Sequence, residues 1–373
     1  MRKAFKYRLY PTRKQAGIMA EHLEECRMLY NHFVVDRQQA YKDREDLLSL
    51  YDQHKRLPFL KEDRPSLKQV HSQVLQNVAV RVDLAFQSFY RRCQQGGKPG
   101  YPRFKGLGRY DSLTYPQAAG FALRDNYLRL GKIGNVSVKQ HRPLEGTPKT
   151  CTVRCSATGK WYATLVCEVD ARPLSESDEA RGLDVGLEKF ATLSDGQQIA
   201  NPRFFREEEK ELAKANRKVD RATKGTPVRA KARKVVARVH ERIRFKRHDF
   251  AHQLARRLVN HYGLIAIEDL TINGMVHNRC LAKSIHDAAW SQFRQCLSYK
   301  AEEASRMLVA VNPAYTSQDC SQCGHRQRKS LSQRRHLCPC CGLDIDRDEN
   351  AARNILRLGL QSQGAPQEAV CFS

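Results

Sequence analysis

Four cysteines towards the C-terminal end stand at a spacing that makes a metal site. Cys320 and Cys323 form one CxxC pair, Cys338 and Cys341 a second, and a polar, basic loop lies between them. Each pair sets two thiolates on one tight knuckle, and two knuckles complete a closed, tetrahedral Zn²⁺ site of structural type. Cys340 falls inside the second pair, so its register has an alternative. Both pairs end in Cys-Gly, which favours Cys341 and leaves Cys340 and His336 in reserve. A closed zinc site does no chemistry, so the acids beside it need their own account. Asp344, Asp346 and Asp348 alternate through DIDRDEN, ahead of Asn350 and a short helix carrying Ala351, Ala352, Ile355 and Leu356. One of the three is expected to cap that helix, where a carboxylate accepts from orphan N–H groups and meets the positive end of the dipole. Two further acids stand where acids are costly. Asp184 lies between Leu183 and Val185 with Gly182 and Gly186 outside them, and Glu268 closes the apolar run LIAIE. An acid in an apolar strand is expensive unless it holds a metal or a partner. Flanking glycines let another backbone, or a phosphate, approach closely. Singly, Asp184 and Glu268 also fit as capping or ion-paired acids.

Strands and helices must carry these groups to one place. Residues 4–10 alternate Phe5, Tyr7 and Leu9 against Lys6, Arg8 and Tyr10, a strand period ended by Pro11. Thr12 and Gln15 form a capping box, and Met19, Leu23, Cys26, Tyr30 and Phe33 mark one face of a long helix. A second helix is expected from Ser66, with Gln69 completing its box and Val70, Val74, Val78, Val82 and Phe86 along its apolar face. Gln73, Gln76, Asn77 and Arg81 line the other face. Amides there can read base edges, although solvated helix faces look the same. From Arg91 to Tyr110 there are six basic residues and no acid, among glycines and prolines that break helix. Tyr101, Phe104 and Tyr110 interleave with Arg103, Lys105 and Arg109. That mixture suits a loop that binds phosphates and stacks bases, or a solvated linker with incidental aromatics.

Short strands follow. TCTVRC, the turn SATGK and WYATLVCEV read as a hairpin, and the N-terminal strand is expected to join that sheet as a small barrel interrupted by the helical insert. After Pro173, ARGLDVGLEKFATLSDGQQ reads as strand, turn and strand. Residues 206–247 are helical and strongly basic, with 16 Lys and Arg against six acids. DFAHQLARRLVNHYG reads as a further helix ahead of the strand LIAIEDL. Its C-terminal end, where Glu268 sits, is the end at which open α/β sheets place functional groups.

The whole chain has 373 residues, a formal net charge of +25 and 41% hydrophobic residues. It can bury a core, in two or three domains, and still present a large cationic surface, which points to a polyanionic partner. No apolar run approaches a membrane span, so membrane binding is not expected. The N-terminal MRKAFKYRLYP has no apolar stretch of the signal-peptide kind. Thirteen cysteines, an odd number partly in a zinc pattern, fit a reducing compartment better than a disulfide scaffold. A cytoplasmic nucleic-acid protein is expected.

An acid on a first strand, an acid ending a later strand and an acid on a C-terminal helix resemble the RNase H-like nuclease fold of the RuvC type. Such a set would hold two catalytic Mg²⁺ ions about 4 Å apart, one activating a water and the other stabilising the oxygen that leaves. Hard cations take carboxylate oxygens rather than thiolates. The order GLDVGLEKFATLSDG, LIAIEDL and TSQDCSQCG…CPCCGLDIDRDENAARNIL is more specific: it resembles the TnpB (OrfB) family of insertion sequences, similar to compact ancestors of type V CRISPR effectors. YRLYPTRKQ, LYNHF, YPRFK and RIRFKRHDFAHQLARRLV extend the likeness over nearly the whole chain. The resemblance implies a prokaryotic, RNA-guided, Mg²⁺-dependent DNA endonuclease, nucleoid-associated when bound to DNA. Its guide RNA would come from its own element's end, with one chain or two on that RNA. Its double-stranded DNA target would carry a short flanking motif. It implies Asp184, Glu268 and Asp348 as catalytic carboxylates, all intact, and Cys320, Cys323, Cys338 and Cys341 as ligands of one structural Zn²⁺. It also implies a wedge barrel (residues 1–10 and 111–175) interrupted by a helical recognition lobe (11–110). A RuvC-like domain (176–315 and 344–360) would follow, with a zinc ribbon inserted at 316–343 and a tail at 361–373. Gln73, Gln76, Asn77, Tyr101, Arg103 and Lys105 are the candidate nucleic-acid contacts. A strand-transferring transposase and a non-cutting guided regulator are the rival readings; a substituted triad would have marked the second.

Overall fold

The computed structural model describes residues 1–44, 47–330 and 333–362. The tail expected at 361–373 therefore falls, from residue 363 onward, outside the described residues. The chain divides into two compact units, Met1–Asp170 and Ala171–Ser373.

The first unit is built on seven antiparallel strands: β1 (Arg2–Tyr10), β2 (Ser112–Tyr115), β3 (Phe121–Arg124), β4 (Tyr127–Leu130), β5 (Gly134–Lys139), β6 (Thr147–Cys155) and β7 (Trp161–Glu168). They lie in the order β2-β6-β7-β1-β5-β4-β3. The N-terminal strand does join the later hairpin. It pairs with β7 from Arg2↔Glu168 to Leu9↔Trp161, and with β5 on its other side. Its alternation buries Phe5, Tyr7 and Leu9, as a half-buried strand requires. Among the described residues the edge strands β2 and β3 do not pair, so the ladder is open.

Three helices lie between β1 and β2: α1 (Arg13–Arg44), α2 (Leu50–Asp63) and α3 (Ser72–Gln94). Thr12 and Gln15 cap α1 reciprocally, at 3.0 and 3.2 Å. One expectation needs correction here, and one helix was not foreseen. The second helix does not start at Ser66: Pro65–Gln69 is a 3₁₀ turn, Val70 is extended, and α3 begins after His71, whose ring accepts from the Gln73 amide. Proline at the first position suits a short turn, and the extended Val70 breaks the run. Helix α2 is not legible in the apolar pattern because it buries little beyond Gln53 and Leu57 and contains Pro58. Its capping box uses Ser49 and Asp52, where an aspartate replaces the usual Glu or Gln.

The second unit carries the acids. Strands β8 (Ala180–Val185), β9 (Lys189–Leu193), β10 (Gln198–Ala200), β11 (Leu264–Glu268) and β12 (Met307–Val311) lie in the order β10-β9-β8-β11-β12. β8, β11 and β12 run parallel, whereas β9 runs antiparallel to both of its neighbours, β8 and β10. Helices α4 (Phe204–Arg221) and α5 (Pro227–His261) connect β10 to β11. The separate helix expected at DFAHQLARRLVNHYG is the last part of α5. Nothing between Arg247 and Asp249 breaks a helix, and the break lies earlier, where Thr226 caps α5 and Pro227 takes its first position. Helices α6 (Ile272–Met275), α7 (Arg279–Ala288) and α8 (Trp290–Glu303) lead into β12.

The sheet is covered on both faces. Leu183, Ile265 and Ile267 share a core with Leu254, Ala255 and Leu258 of α5 and with Phe293 and Leu297 of α8. Leu264 and Ala266 pack instead against Ile355 of α9 (Arg347–Gln361). The two-residue period therefore turns Gly182 and Asp184 of β8, with Glu268 of β11, towards the α9 side. A Cβ at Gly182 would come within 2.0 Å of the Ala352 carbonyl oxygen and 2.6 Å of the Leu356 nitrogen, so only glycine lets α9 lie this close. The final ladder, β13 (Arg335–Leu337) with β14 (Asp344–Asp346), runs from the cysteine segment into α9. Among the described residues no helix is long and apolar enough to cross a membrane.

Candidate metal centres

The four cysteines meet. Cys320, Cys323, Cys338 and Cys341 bring their sulfurs within 4.8 Å of one another. Cys320 to Cys341 and Cys323 to Cys338 each measure 3.6 Å. A tetrahedral ion with Zn–S of about 2.3 Å sets its sulfurs about 3.8 Å apart, so this donor set fits zinc in spacing and in softness. The knuckles are built alike. The Cys320 amide donates to His325 O and the Gly324 amide to Cys320 O; the Cys338 amide donates to Leu343 O and the Gly342 amide to Cys338 O. Gly324 and Gly342 both take the left-handed conformation, at φ 76° and 74°, which glycine alone adopts without cost. That is the physical content of the Cys-Gly repeat. Backbone amides of Cys341 and Cys340 hold the Cys338 thiol down to about 6, towards the thiolate a metal needs. Cys340 is exposed and outside the cluster, and His336 is buried with its Nδ1 against Lys329.

The acids of DIDRDEN divide three tasks. Asp344 pairs with Arg335 across the β13–β14 ladder. Asp346 is the cap of α9, accepting from the amides of Asp348 at 2.8 Å and Glu349 at 3.3 Å. Asp348, in the first turn, pairs with Arg347 and Arg334, and its charge acts on Asp184 more strongly than that of Asp346. The parallel register runs Ala266↔Gly182 and Ile267↔Leu183; carried one residue further, it sets Glu268 beside Asp184. Adjacent strands are about 4.8 Å apart, so the two carboxylates are neighbours on one face.

Electrostatics records the convergence. The Asp184 carboxyl is raised well above the usual range, first by burial and then by the negative charges of Glu268 and Asp348, with Arg347 opposing. Burial also raises Glu268, against a hydrogen bond from Thr316. All three residues are half-buried. Their carboxylates are hard oxygen donors that repel one another, and a divalent cation would relieve that repulsion, so the donor type suits Mg²⁺; among the described residues only the four cysteines, and not these three acids, have their ligand atoms all within 4.8 Å. Arg347 donates to Asp348 Oδ1 at 3.0 and 3.2 Å.

Sequence reasoning missed Thr316, whose hydroxyl donates to Glu268 Oε1 at 2.6 Å, and the buried pair Asn350 and Asn354, which tie α9 to the segment ahead of the first knuckle. The i, i+4 spacing of two asparagines inside the apolar stripe of α9 was the available signal.

The candidate nucleic-acid residues lie in the first unit and are not gathered into one site. Gln76 and Arg103 are exposed. Gln73 donates to Gln117, and Asn77 accepts from Arg81, which also binds Ser112 and Thr114. Tyr101 stacks on Phe89 with ring centroids 4.9 Å apart, and the Lys105 ammonium lies over the Tyr30 ring. Part of this set therefore serves the unit's own packing.

Three family models match the chain. One described as "Probable transposase", OrfB of IS605, covers residues 164–279, and one described as "Cas12f1-like, TNB domain" covers 290–355. A third, "Helix-turn-helix domain", covers 1–46, where the described residues form β1 and α1. A Streptomyces pristinaespiralis protein named as an RNA-guided DNA endonuclease is 36% identical over 367 residues, 96% of this chain and 90% of that protein. Escherichia coli InsQ, named in the same way, is 30% identical over 375 residues, 95% and 92% of the two chains. Among solved structures, Cas12f1 in its complex with sgRNA and target DNA aligns over 95% of this chain and 99% of that one, at 14% identity and a TM-score of 0.37, too loose to carry an argument about a site.

Proposed function

This chain belongs to the TnpB (OrfB) family of RNA-guided DNA endonucleases, and we propose that Asp184, Glu268 and Asp348 are its catalytic carboxylates. The chain is a mobile-element endonuclease directed to DNA by RNA. The observation that carries the site is the convergence of the three acids, where the charges of Glu268 and Asp348 both press on Asp184. Bound there, two Mg²⁺ ions would supply an activated water and charge stabilisation for phosphodiester hydrolysis. The residues do the holding. Asp184 feels the charges of both other acids, Glu268 is fixed at the end of β11, and Asp348 is delivered by α9; together the three would hold the ions. The four cysteines would hold one structural Zn²⁺, bracing the segment between β12 and α9.

On this reading the second unit is an RNase H-like, RuvC-type nuclease domain with the ribbon at 316–343 inserted. The sheet of the first unit is the wedge, interrupted by its helices as a recognition lobe. The excess positive charge, +25 over the chain, serves guide RNA and target DNA. Gln73, Gln76, Asn77, Tyr101, Arg103 and Lys105 are proposed contacts, with exposed Gln76 and Arg103 the most available.

The test is to express the gene with its native downstream flank and sequence the RNA that co-purifies. One abundant species ending just beyond the element's boundary is expected, and its 3′ segment names the DNA to challenge. Mg²⁺-dependent cutting should fall at least about 10³-fold in Asp184→Ala, with target binding retained. Equal cutting by that variant would refute the assignment. Joined 3′ ends, instead of free ones, would favour the strand transfer that the transposase description suggests.

A further inference from the structure

We infer that Thr316 is a positioning residue for Glu268, held in place from one side by α9 and from the other by the zinc ribbon. This rests on the carboxylate assignment above and names a group that acts through it. A glutamate at a strand end has three side-chain torsions, the last of them broad, so nothing in β11 itself sets the plane of its carboxylate. The Thr316 hydroxyl does: it donates to Oε1 at 2.6 Å, a charge-assisted distance. Its other contact, to Pro313 O, is longer at 3.1 Å. Thr316 is 4% exposed, so water does not compete for the bond. One lone pair of Oε1 is thereby committed, and the other carboxylate positions remain for a cation.

Thr316 is itself clamped. Its carbonyl accepts from Asn354 Nδ2 at 2.9 Å, and the same amide donates to Asp319 O at 2.7 Å. Asn350, one turn earlier, donates to Asp319 O at 2.8 Å and accepts from the Ser321 amide at 2.9 Å. Both asparagines are buried. The helix that presents Asp348 thus also grips the strap carrying Thr316, and four residues later that strap enters the knuckle at Cys320. One path of hydrogen bonds joins the carboxylate cluster to the cysteine cluster, through side chains that belong to neither proposed ligand set. Groups that orient a metal ligand in this way typically govern affinity by about 10-fold or more.

The experiment is a Mn²⁺ titration, read by the electron paramagnetic resonance of the free ion, on the full-length zinc-loaded protein. Wild type, Thr316→Val, Thr316→Ser and Asp184→Ala are compared. Wild type should show binding that Asp184→Ala loses. Thr316→Val should bind about 10-fold more weakly, at unchanged zinc content and melting temperature, and Thr316→Ser should restore affinity because it keeps the hydroxyl. If the valine variant melts early, Thr316→Ala replaces it as a hydroxyl deletion without the added branch. Wild-type affinity in a folded hydroxyl-deleted variant overturns this inference and leaves the carboxylate site standing. Failure of Thr316→Ser to recover also overturns it. Wild-type protein with no Mn²⁺ binding that depends on Asp184 overturns both.

Discussion

Two clusters in the second unit gather metal-binding side chains, and they are assembled in opposite ways. The cysteine cluster is local: two short knuckles with the same pair of backbone bonds and the same left-handed glycine, joined by one loop. The carboxylate cluster is remote: its members come from β8, β11 and α9, and they meet only because those elements pack on one another. The sulfurs already stand at the spacing zinc requires, whereas the carboxylates repel and rely on surrounding groups, Thr316 and Arg347 among them. A knuckle can be formed by its own few residues, but a carboxylate site of this kind exists only in the finished fold.

The comparison can be broken at either cluster. The largest stability effect belongs to the cysteines. Cys338→Ser should bring zinc content below one per chain and cost on the order of 5 kcal/mol, a fraction of what a structural zinc contributes. An unchanged melting curve with full zinc content would sink that assignment. Gly182→Ala probes the packing that makes the remote cluster. Its Cβ would meet the Ala352 carbonyl at 2.0 Å, so α9 must shift; a loss of about 3 kcal/mol is expected, together with cutting activity, although no acid has been touched. Full activity in that variant would show that Asp348 does not depend on the close approach of α9.

The smallest effect has the sharpest sign. The carboxyl of Asp184 is raised in the folded chain, by burial first and by Glu268 and Asp348 next. Its contribution to stability is therefore fully present below the unfolded value near about pH 4 and is lost as pH rises through the folded value. Metal-free Asp184→Asn should melt above metal-free wild type at neutral pH, with the gap closing towards about pH 4. Mg²⁺ should raise the melting temperature of wild type and not that of the variant. Parallel pH profiles for the two proteins would mean that the acids do not share one field.

Much of this was legible in the chain. The Cys-Gly repeat selected Cys341 over Cys340 because a knuckle closes through a glycine at positive φ, which is a local requirement. The acids before Asn350 marked a capped helix start, and the family resemblance pointed to Asp348; that Asp346 is the cap came from the structure. Strand period put Phe5, Tyr7 and Leu9 inside. What failed did so for identifiable reasons. Helix α2 buries too little to show a stripe, and the start of α3 was read through a 3₁₀ turn and an extended valine. Separately, Gln73 and Asn77, proposed as nucleic-acid contacts, also bond within their own unit, which the sequence does not show.

By itself the sequence determined the ligand types, the zinc knuckles and the family to which the chain belongs, because each depends on residues a few positions apart or on a pattern along the whole chain. The tertiary structure alone decided that Glu268 stands beside Asp184, that glycine at 182 admits α9, and that Thr316 and Asn354 link Glu268 to the segment entering the cysteine cluster. Those depend on strand register and close packing between distant segments, where a shift of one residue in a strand reverses which face a side chain takes.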